Sequence, residues 1–302
     1  MATAALNILV TGTSSGLGEL TAKTLARAGH KVFASMRGVT ARNADAARAL
    51  REWAVQVDGR DPYTGQTMGF EGVDLEVVEL DVADEASVAG AVAAILASAG
   101  RIDVVVNNAG TGASGPVEAY SIEQLRAIYE VNTFGPVRVD RAVLPSMRER
   151  GSGLIIHVTS TLGRIAIPRS GAYASSKFAL EALAEALHYE LAPLGVDALI
   201  LEPGAFPTRV VERRAEGASL EIAAAYAAAQ PPRPAGGAGP GGAEASNPQE
   251  IADAISALIE MPAGQRPLRT VVGSRFTAGV RELNEAYEAS RKELLSSLGR
   301  PG

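Results

Sequence analysis

The sequence predicts an α/β fold built on one large parallel sheet. Short apolar, β-branched runs alternate with longer helix-period segments over about two hundred residues without a linker, the pattern of repeated βαβ units. A Gly-rich turn follows the first of these runs directly and leads into an amphipathic helix. The 302 residues are 47% hydrophobic and 21% charged, which suits a globular chain able to bury a sizeable core.

Seven runs read as strands: Leu6–Thr11, Lys31–Met36, Leu75–Leu80, Asp103–Asn108, Leu154–Ser160, Val196–Glu202 and Arg269–Gly273. Between them Leu17–Ala28, Ala86–Ala99, Ser121–Arg150 and Tyr173–Leu191 read as helices. Pro136 and Pro145 predict a kink or break in the third of these, since each removes a helix hydrogen bond. Two segments break the rhythm. Val55–Val73, "VQVDGRDPYTGQTMGFEGV", is polar and Gly-rich and reads as an insertion before the third strand. Ala205–Asn247 contains "PPRPAGGAGPGGAEAS" and reads as a mobile, partly disordered flap. Neither has the look of a separate domain. Residues 1–302 are therefore expected to form a single domain with a substrate flap at 205–247 and a C-terminal helical extension at 279–298.

Charge and composition narrow the partners. A net charge of −6 with no Lys/Arg block argues against nucleic acid or an anionic membrane, both of which need a basic footprint. The expected partner is a small molecule. With no Cys there is no disulfide framework, zinc-thiolate site or thiol nucleophile; no metal site is expected, and a reducing cytoplasm is the natural compartment. No apolar run reaches the ~18 to 20 residues of a membrane helix. The opening "MATAALNILV" lacks a charged leader and a cleavage site, so it reads as the approach to a first strand in a chain that begins near Met1.

The turn "TGTSSGLGELTAKTLARAGH" places Gly12, Gly16 and Gly18 between that strand and a helix. Glycine permits a tight turn and close backbone approach, and the helix N-terminus offers free N–H groups to a pyrophosphate. Ser14 and Ser15 add hydroxyl donors. At the end of the second strand an acid would bind a ribose 2′-OH, whereas a basic residue accommodates a 2′-phosphate. The chain reads Ser35, Met36, Arg37 there, with no acid, so NADP is favoured over NAD.

Tyr173 and Lys177 stand four apart on a predicted helix and share one face. An ammonium beside a phenol favours phenolate, and moving a tyrosine from its ordinary value near 10 to about 7 needs about 4 kcal/mol of differential stabilisation. Only four of the 28 basic residues are lysine, and with seven tyrosines chance predicts about 0.1 such pairs in the chain. A surface pair on an amphipathic helix is the bland alternative, and that composition weakens it.

These residues occur in order with "NNAG" (Asn107 to Gly110), Asn132, Ser160 and "PGAFPT" (Pro203 to Thr208). Together they resemble the short-chain dehydrogenase/reductase family, in its single-domain branch with the T-G-x-x-x-G-x-G turn, strongly over Leu6–Thr208 and loosely beyond. The resemblance implies a doubly wound parallel sheet (Rossmann fold) of seven strands in order 3-2-1-4-5-6-7 with helices on both faces. It makes Tyr173 the acid/base that exchanges a proton with substrate. Lys177 would lower the phenol's pKa and bind the nicotinamide ribose, Ser160 would hold the substrate oxygen, and Asn132 would position a water linking Lys177 to solvent. Gly12, Ser14, Ser15, Gly16, Leu17 and Gly18 would cradle the cofactor's phosphates. Asp81, with Val82, would bind the adenine; Asn108, Ala109 and Gly110 would border the cofactor, and Pro203, Gly204 and Thr208 would flank the nicotinamide amide. His157 lies three residues before Ser160 in an expected strand, so its side chain should face the other way and take no part in catalysis.

The function this implies is hydride transfer between a nicotinamide and a ketone or secondary alcohol. A nicotinamide-binding regulatory or scaffold protein is the alternative, and it has no chemical need for the Ser/Tyr/Lys/Asn set. Sugar epimerases of the same fold are disfavoured by the glycine spacing and the lack of a C-terminal substrate domain. The expected pocket, formed by Thr111–Gly115, Thr161–Ser170 and the flap from Ala205, mixes small and apolar residues with a few Arg, which suits a moderately lipophilic carbonyl or alcohol. The resemblance also suggests a homodimer or homotetramer through the helices that carry Asn132 and Tyr173.

Overall fold

The computed structural model describes residues 5–56, 58–60, 67–71, 73–206, 215–229, 247–274 and 277–297. The strands are β1 (Asn7–Thr11), β2 (Lys31–Met36), β3 (Asp58–Arg60), β4 (Thr67–Glu71), β5 (Leu75–Glu79), β6 (Val104–Asn107), β7 (Gly153–Val158), β8 (Val196–Pro203) and β9 (Arg269–Val272). Seven of them form a wholly parallel sheet in the order β5-β2-β1-β6-β7-β8-β9. With the β3/β4 hairpin left out of the count, this is the expected 3-2-1-4-5-6-7.

The helices are α1 (Gly16–Arg27), α2 (Ala44–Gln56), α3 (Glu85–Ala99), α4 (Ile122–Tyr129), α5 (Gly135–Arg150), α6 (Gly171–Leu191), α7 (Leu220–Ala229), α8 (Gln249–Glu260) and α9 (Ala278–Ser297). They cover both faces because the sheet residues alternate. Ile8, Val10, Val32, Val106, Ile156 and Leu199 point to one side, where they meet Leu25 of α1, Leu50 of α2 and Ile251 of α8. Their neighbours Leu9, Phe33, Val105 and Ile155 point to the other, against Ile95 of α3, Val139 and Met147 of α5 and Leu191 of α6. Strands buried on both faces read as continuous apolar runs, which is why their sequence signal is strong.

Several elements differ from expectation. Ala44–Gln56 is a helix, burying Ala47, Leu50 and Ala54 on one face. The insertion contains an antiparallel hairpin that pairs Asp58 with Glu71 and Arg60 with Thr67. Ser121–Arg150 is not broken at its prolines. A π turn, Glu130–Phe134, joins α4 to α5 and absorbs one extra residue. Pro136 then falls in the first turn of α5, where a missing N–H costs nothing, and Pro145 is accommodated inside the helix. The expected flap includes a helical stretch, α7, while its Gly/Pro-rich part, 230–246, lies outside the described residues. The C-terminal extension is the helix α9, and residue 298 is outside the described residues. Among the described residues no helix is long and apolar enough to cross a membrane.

The strand order reverses between β1 and β6, and the crevice beyond the carboxyl ends of these strands is where such sheets bind ligands.

Candidate active site

At that crevice the Gly-rich turn is stitched to the loop after β6. The Thr11 hydroxyl oxygen accepts from the N–H groups of Asn108 and Ala109, each at 3.0 Å. In return the Asn108 side-chain amide donates to the carbonyls of Thr11 (2.9 Å) and Gly12 (3.3 Å). Asn108 therefore holds the turn in shape. Gly12 has φ +74°, and a Cβ there would lie 2.7 Å from Ala109 Cα. A Cβ at Gly18 would lie 2.3 Å from the Gly12 carbonyl oxygen and 2.5 Å from Asn108 Nδ2. Ser15 is the N-cap of α1 and makes no side-chain capping bond, so the first turn of the helix has no hydroxyl folded over its N–H groups. Ser14, Gly16 and Leu17 complete the turn and are partly exposed on it. A tight turn in which a Cβ at Gly12 or Gly18 would strike neighbouring atoms, opening on an uncapped helix N-terminus, fits the pyrophosphate of a dinucleotide. Gly18→Ala is expected to force the turn apart, weakening dinucleotide binding at least tenfold and costing about 1 to 3 kcal/mol of stability. Fluorescence titration and urea unfolding check the two effects separately.

Beyond the ends of β2 and β5, Arg37 Nη1 lies 3.6 Å from Asp81 Oδ2, and both side chains are partly exposed. Asp81 Oδ1 also accepts from the Ala83 N–H at 3.0 Å. Val82 is buried, packed where Gly135 approaches it closely. At the opposite end Pro203 closes β8, and the Gly204 N–H donates to the Val272 carbonyl at 2.9 Å. Thr208 lies outside the described residues.

Four expected catalytic residues come from three elements. Asn132 lies in the π turn, fully buried, with its side-chain oxygen accepting from the Thr111 N–H (2.8 Å) and its nitrogen donating to the Thr111 carbonyl (2.9 Å) and Ser176 Oγ (3.0 Å). Its amide thus clamps the peptide beyond Gly110. Tyr173 and Lys177 share a face of α6, with Lys177 Nζ 6.0 Å from the Tyr173 ring centre. Lys177 is buried and donates to the Val158 carbonyl at 2.9 Å, which ties α6 to the end of β7. Ser160 follows that strand end, its hydroxyl accepting from the Leu162 N–H at 3.1 Å. A Cβ on Gly110 would stand 3.4 Å from Asn132 Oδ1 and 3.8 Å from Lys177 Nζ, so the loop after β6, the π turn and α6 converge. Burial pulls the Lys177 ammonium down to about 8, against the opposing pull of the Glu181 carboxylate one turn on.

The family model described as short chain dehydrogenase matches residues 6–219. The chain belongs to the short-chain dehydrogenase family. Mouse 17-beta-hydroxysteroid dehydrogenase type 1 is 35% identical over 274 residues, 89% of this chain and 74% of that protein. The uncharacterized oxidoreductase YusZ of Bacillus subtilis is 37% identical over 202 residues, covering 67% of this chain and 65% of its own length. A short-chain dehydrogenase from Streptomyces avermitilis superimposes with a TM-score of 0.72 at 29% identity, over 98% of both chains. An alcohol dehydrogenase from the archaeon Thermococcus sibiricus, complexed with 5-hydroxy-NADP, does so with a TM-score of 0.66 at 29% identity, over 90% of this chain and 97% of that one. Membership makes the chain an oxidoreductase working between CH–OH and C=O groups with a nicotinamide cofactor.

Two buried polar clusters of this short-chain dehydrogenase lie behind the site. His157 is buried near the end of β7, with Nε2 3.6 Å from Asp140 Oδ2 of α5. Burial, with the charge of Lys177 added, holds the imidazole down at about 3, and burial lifts Asp140 to about 8. Burial thus disfavours the charged form of both groups. The second cluster begins at Thr159, whose hydroxyl donates to Glu181 at 2.6 Å. Arg269 joins Glu181 (3.1 Å) to Glu185 (2.6 Å), Glu202 accepts from Asn284 of α9 (2.6 Å), and Arg164 donates to Asn284 (2.8 Å). None of the five charged residues of this second cluster was singled out from sequence.

Proposed function

We propose that this short-chain dehydrogenase transfers hydride between NADP(H) and the carbonyl carbon of a ketone, or the carbinol carbon of a secondary alcohol, with Tyr173 as proton donor and acceptor. The observation that carries it is the buried Lys177 ammonium 6.0 Å from the Tyr173 ring, at the mouth of a dinucleotide crevice. Burying that cation costs several kcal/mol, which its bond to the Val158 carbonyl offsets in part. The bound nicotinamide supplies or accepts the hydride. Ser160 Oγ donates to the substrate oxygen, which requires its hydroxyl hydrogen to turn to the pocket while its oxygen keeps the Leu162 N–H. Tyr173 gives its proton to the same oxygen during reduction, and the Lys177 ammonium stabilises the phenolate left behind. Asn132, locked on the Thr111 peptide, keeps the loop after β6 against Lys177.

The substrate is read as moderately lipophilic. Ile165 and Ile167 are exposed on the loop between Ser160 and Tyr173, and the mouse relative is named a hydroxysteroid dehydrogenase. That loop meets the other expected wall where the Gly115 N–H donates to the Arg169 carbonyl at 2.9 Å, and the flap joins them where Ala113 bridges Ala215. NADP is supported by Arg37 and by the 5-hydroxy-NADP complex of the Thermococcus relative. Exposed Phe134 and Phe178, on the π turn and α6, support a homodimer or homotetramer through that face, which light scattering checks.

A screen of ketones, from small aliphatic to steroid-sized, followed by loss of NADPH absorbance, tests the reading. Turnover of a lipophilic ketone supports it, and a blank across all ketone classes with intact NADPH binding favours the regulatory alternative. Arg37→Ala is expected to weaken NADPH roughly tenfold while leaving NADH within about twofold, the charge-assisted contact being worth about a factor of ten. Equal loss for both would remove that role from Arg37.

A further inference from the structure

We propose that Glu79 supplies, from the neighbouring strand, the acid that the end of β2 lacks, and that it holds down this dehydrogenase's preference for NADP over NAD. The inference rests on the reading that the crevice binds a nicotinamide dinucleotide with its adenosine ribose at the end of β2. It comes from the register of the sheet. β5 lies beside β2, and Met36, the last residue of β2, pairs with Glu79, the last of β5. The Glu79 side chain reaches the loop that follows β2, where its two oxygens accept from the N–H groups of Gly38 (2.6 Å) and Val39 (2.7 Å).

This loop is shaped to receive an anion. Gly38 has φ +64°, a conformation that turns successive N–H groups toward one point, and a Cβ there would stand 2.8 Å from Arg42 Cγ. The Asn43 side chain donates to the Arg37 carbonyl at 2.6 Å and pins the loop in place. The Gly38 and Val39 amides are thus occupied by the protein's own carboxylate. The Arg37 guanidinium beside them is itself 3.6 Å from the Asp81 carboxylate. Arg37 therefore shares the end of β2 with two carboxylates, and the Arg42 side chain packs against Gly38 of the same loop.

A ribose 2′-phosphate brings two more negative charges into this group, whereas a 2′-hydroxyl brings none and can donate to a carboxylate. Glu79 consequently works against the phosphate that Arg37 attracts. Sequence order hides the effect, because the acid stands 42 residues beyond Arg37 in the chain and only the pairing of β2 with β5 brings it to the loop. The groups are exposed, so the effect is modest and falls with ionic strength.

Binding of NADPH and NADH to the protein, measured by fluorescence titration at low and high salt, tests this with Glu79→Gln and Glu79→Asp. Glu79→Gln is expected to tighten NADPH five- to tenfold and to leave NADH unchanged or slightly weaker. Glu79→Asp, which keeps the charge, should stay within about twofold of the parent ratio, and high salt should shrink the Gln effect. Thermal shifts with 2′,5′-ADP and with ADP should move in the same sense, which separates the ribose end from the nicotinamide end. A Glu79→Gln ratio within twofold of the parent, or NADPH bound more weakly, overturns the inference. If that occurs while Arg37→Ala still weakens NADPH selectively, only the role of Glu79 falls; if the parent binds neither dinucleotide, the functional reading falls with it.

Discussion

Tyr173→Phe is expected to lower kcat by roughly a hundred- to ten-thousandfold, the range carried by a positioned general acid, while NADPH affinity stays within a few-fold. The substitution removes one hydroxyl and keeps the ring, which packs beside Tyr120, Ile128 and Ala172. Lys177 keeps its bond to the Val158 carbonyl and Asn132 its clamp on Thr111, so the site loses proton transfer and not its shape. The pH dependence adds a second signature. Burial holds Lys177 at about 8, so the ammonium is present below that pH and is lost as pH rises through it. Ketone reduction by the parent enzyme should therefore decline on the alkaline side of about pH 8. A Phe variant with more than a tenth of the parent kcat would remove Tyr173 from the chemistry, and a flat alkaline profile would remove Lys177 as the phenolate's partner.

The legible parts of this molecule are those whose signal is local. The inner strands β1, β2, β6, β7 and β8 are runs buried on both faces, and their apolar residues sit together in the chain; the edge strands β5 and β9 are only partly buried. The turn around Gly12 and Gly18 is legible because two close backbone approaches leave no room for a side chain, and glycine is the mark of that constraint. The hidden features depend on distance or on averaging. The π turn at Glu130–Phe134 adds one residue to a helix, which leaves the apolar period intact and lets Pro136 fall harmlessly at the start of α5. Helix α7, "LEIAAAYAAA", is composed of helix formers, but it adjoins a Gly/Pro-rich tract and disappears when composition is taken across the whole flap. Asn108 was expected to border the cofactor, and the structure gives its side chain a prior task on the carbonyls of Thr11 and Gly12. Arg164 and Asn284 are 120 residues apart, and no local pattern announces their pairing.

Arg269→Ala is expected to cost about 3 to 5 kcal/mol of stability, the cost of breaking a buried ion network at one partner. Arg269 is only 8% exposed and lies 3.1 Å from Glu181, 2.6 Å from Glu185 and 3.6 Å from Glu202, with its guanidinium 5.3 Å from the Tyr287 ring of α9. Without it three carboxylates remain in a largely buried space, where Arg164 stands 3.9 Å from Glu202 and the Lys177 ammonium lies one turn before Glu181. Burial already raises Glu181, and burial together with the Glu181 charge lifts Glu202 to about 7. A carboxylate whose folded pKa is raised binds more protons in the native state than in the unfolded one. Its stability is then fully present below the unfolded value near 4.5 and is lost as pH climbs through about 7. Removing Arg269 deepens that shift, so the variant should lose more at pH 8 than at pH 5.5, which urea unfolding at the two pH values reads directly. The loss should reach catalysis as well, because Glu181 holds Thr159, the residue before Ser160, and lies one turn beyond Lys177. Replacing Glu181 and Glu202 by Gln in the same variant relieves the repulsion and should recover part of the stability. A cost below about 1 kcal/mol, equal at both pH values, would show that the network does not brace the end of β7.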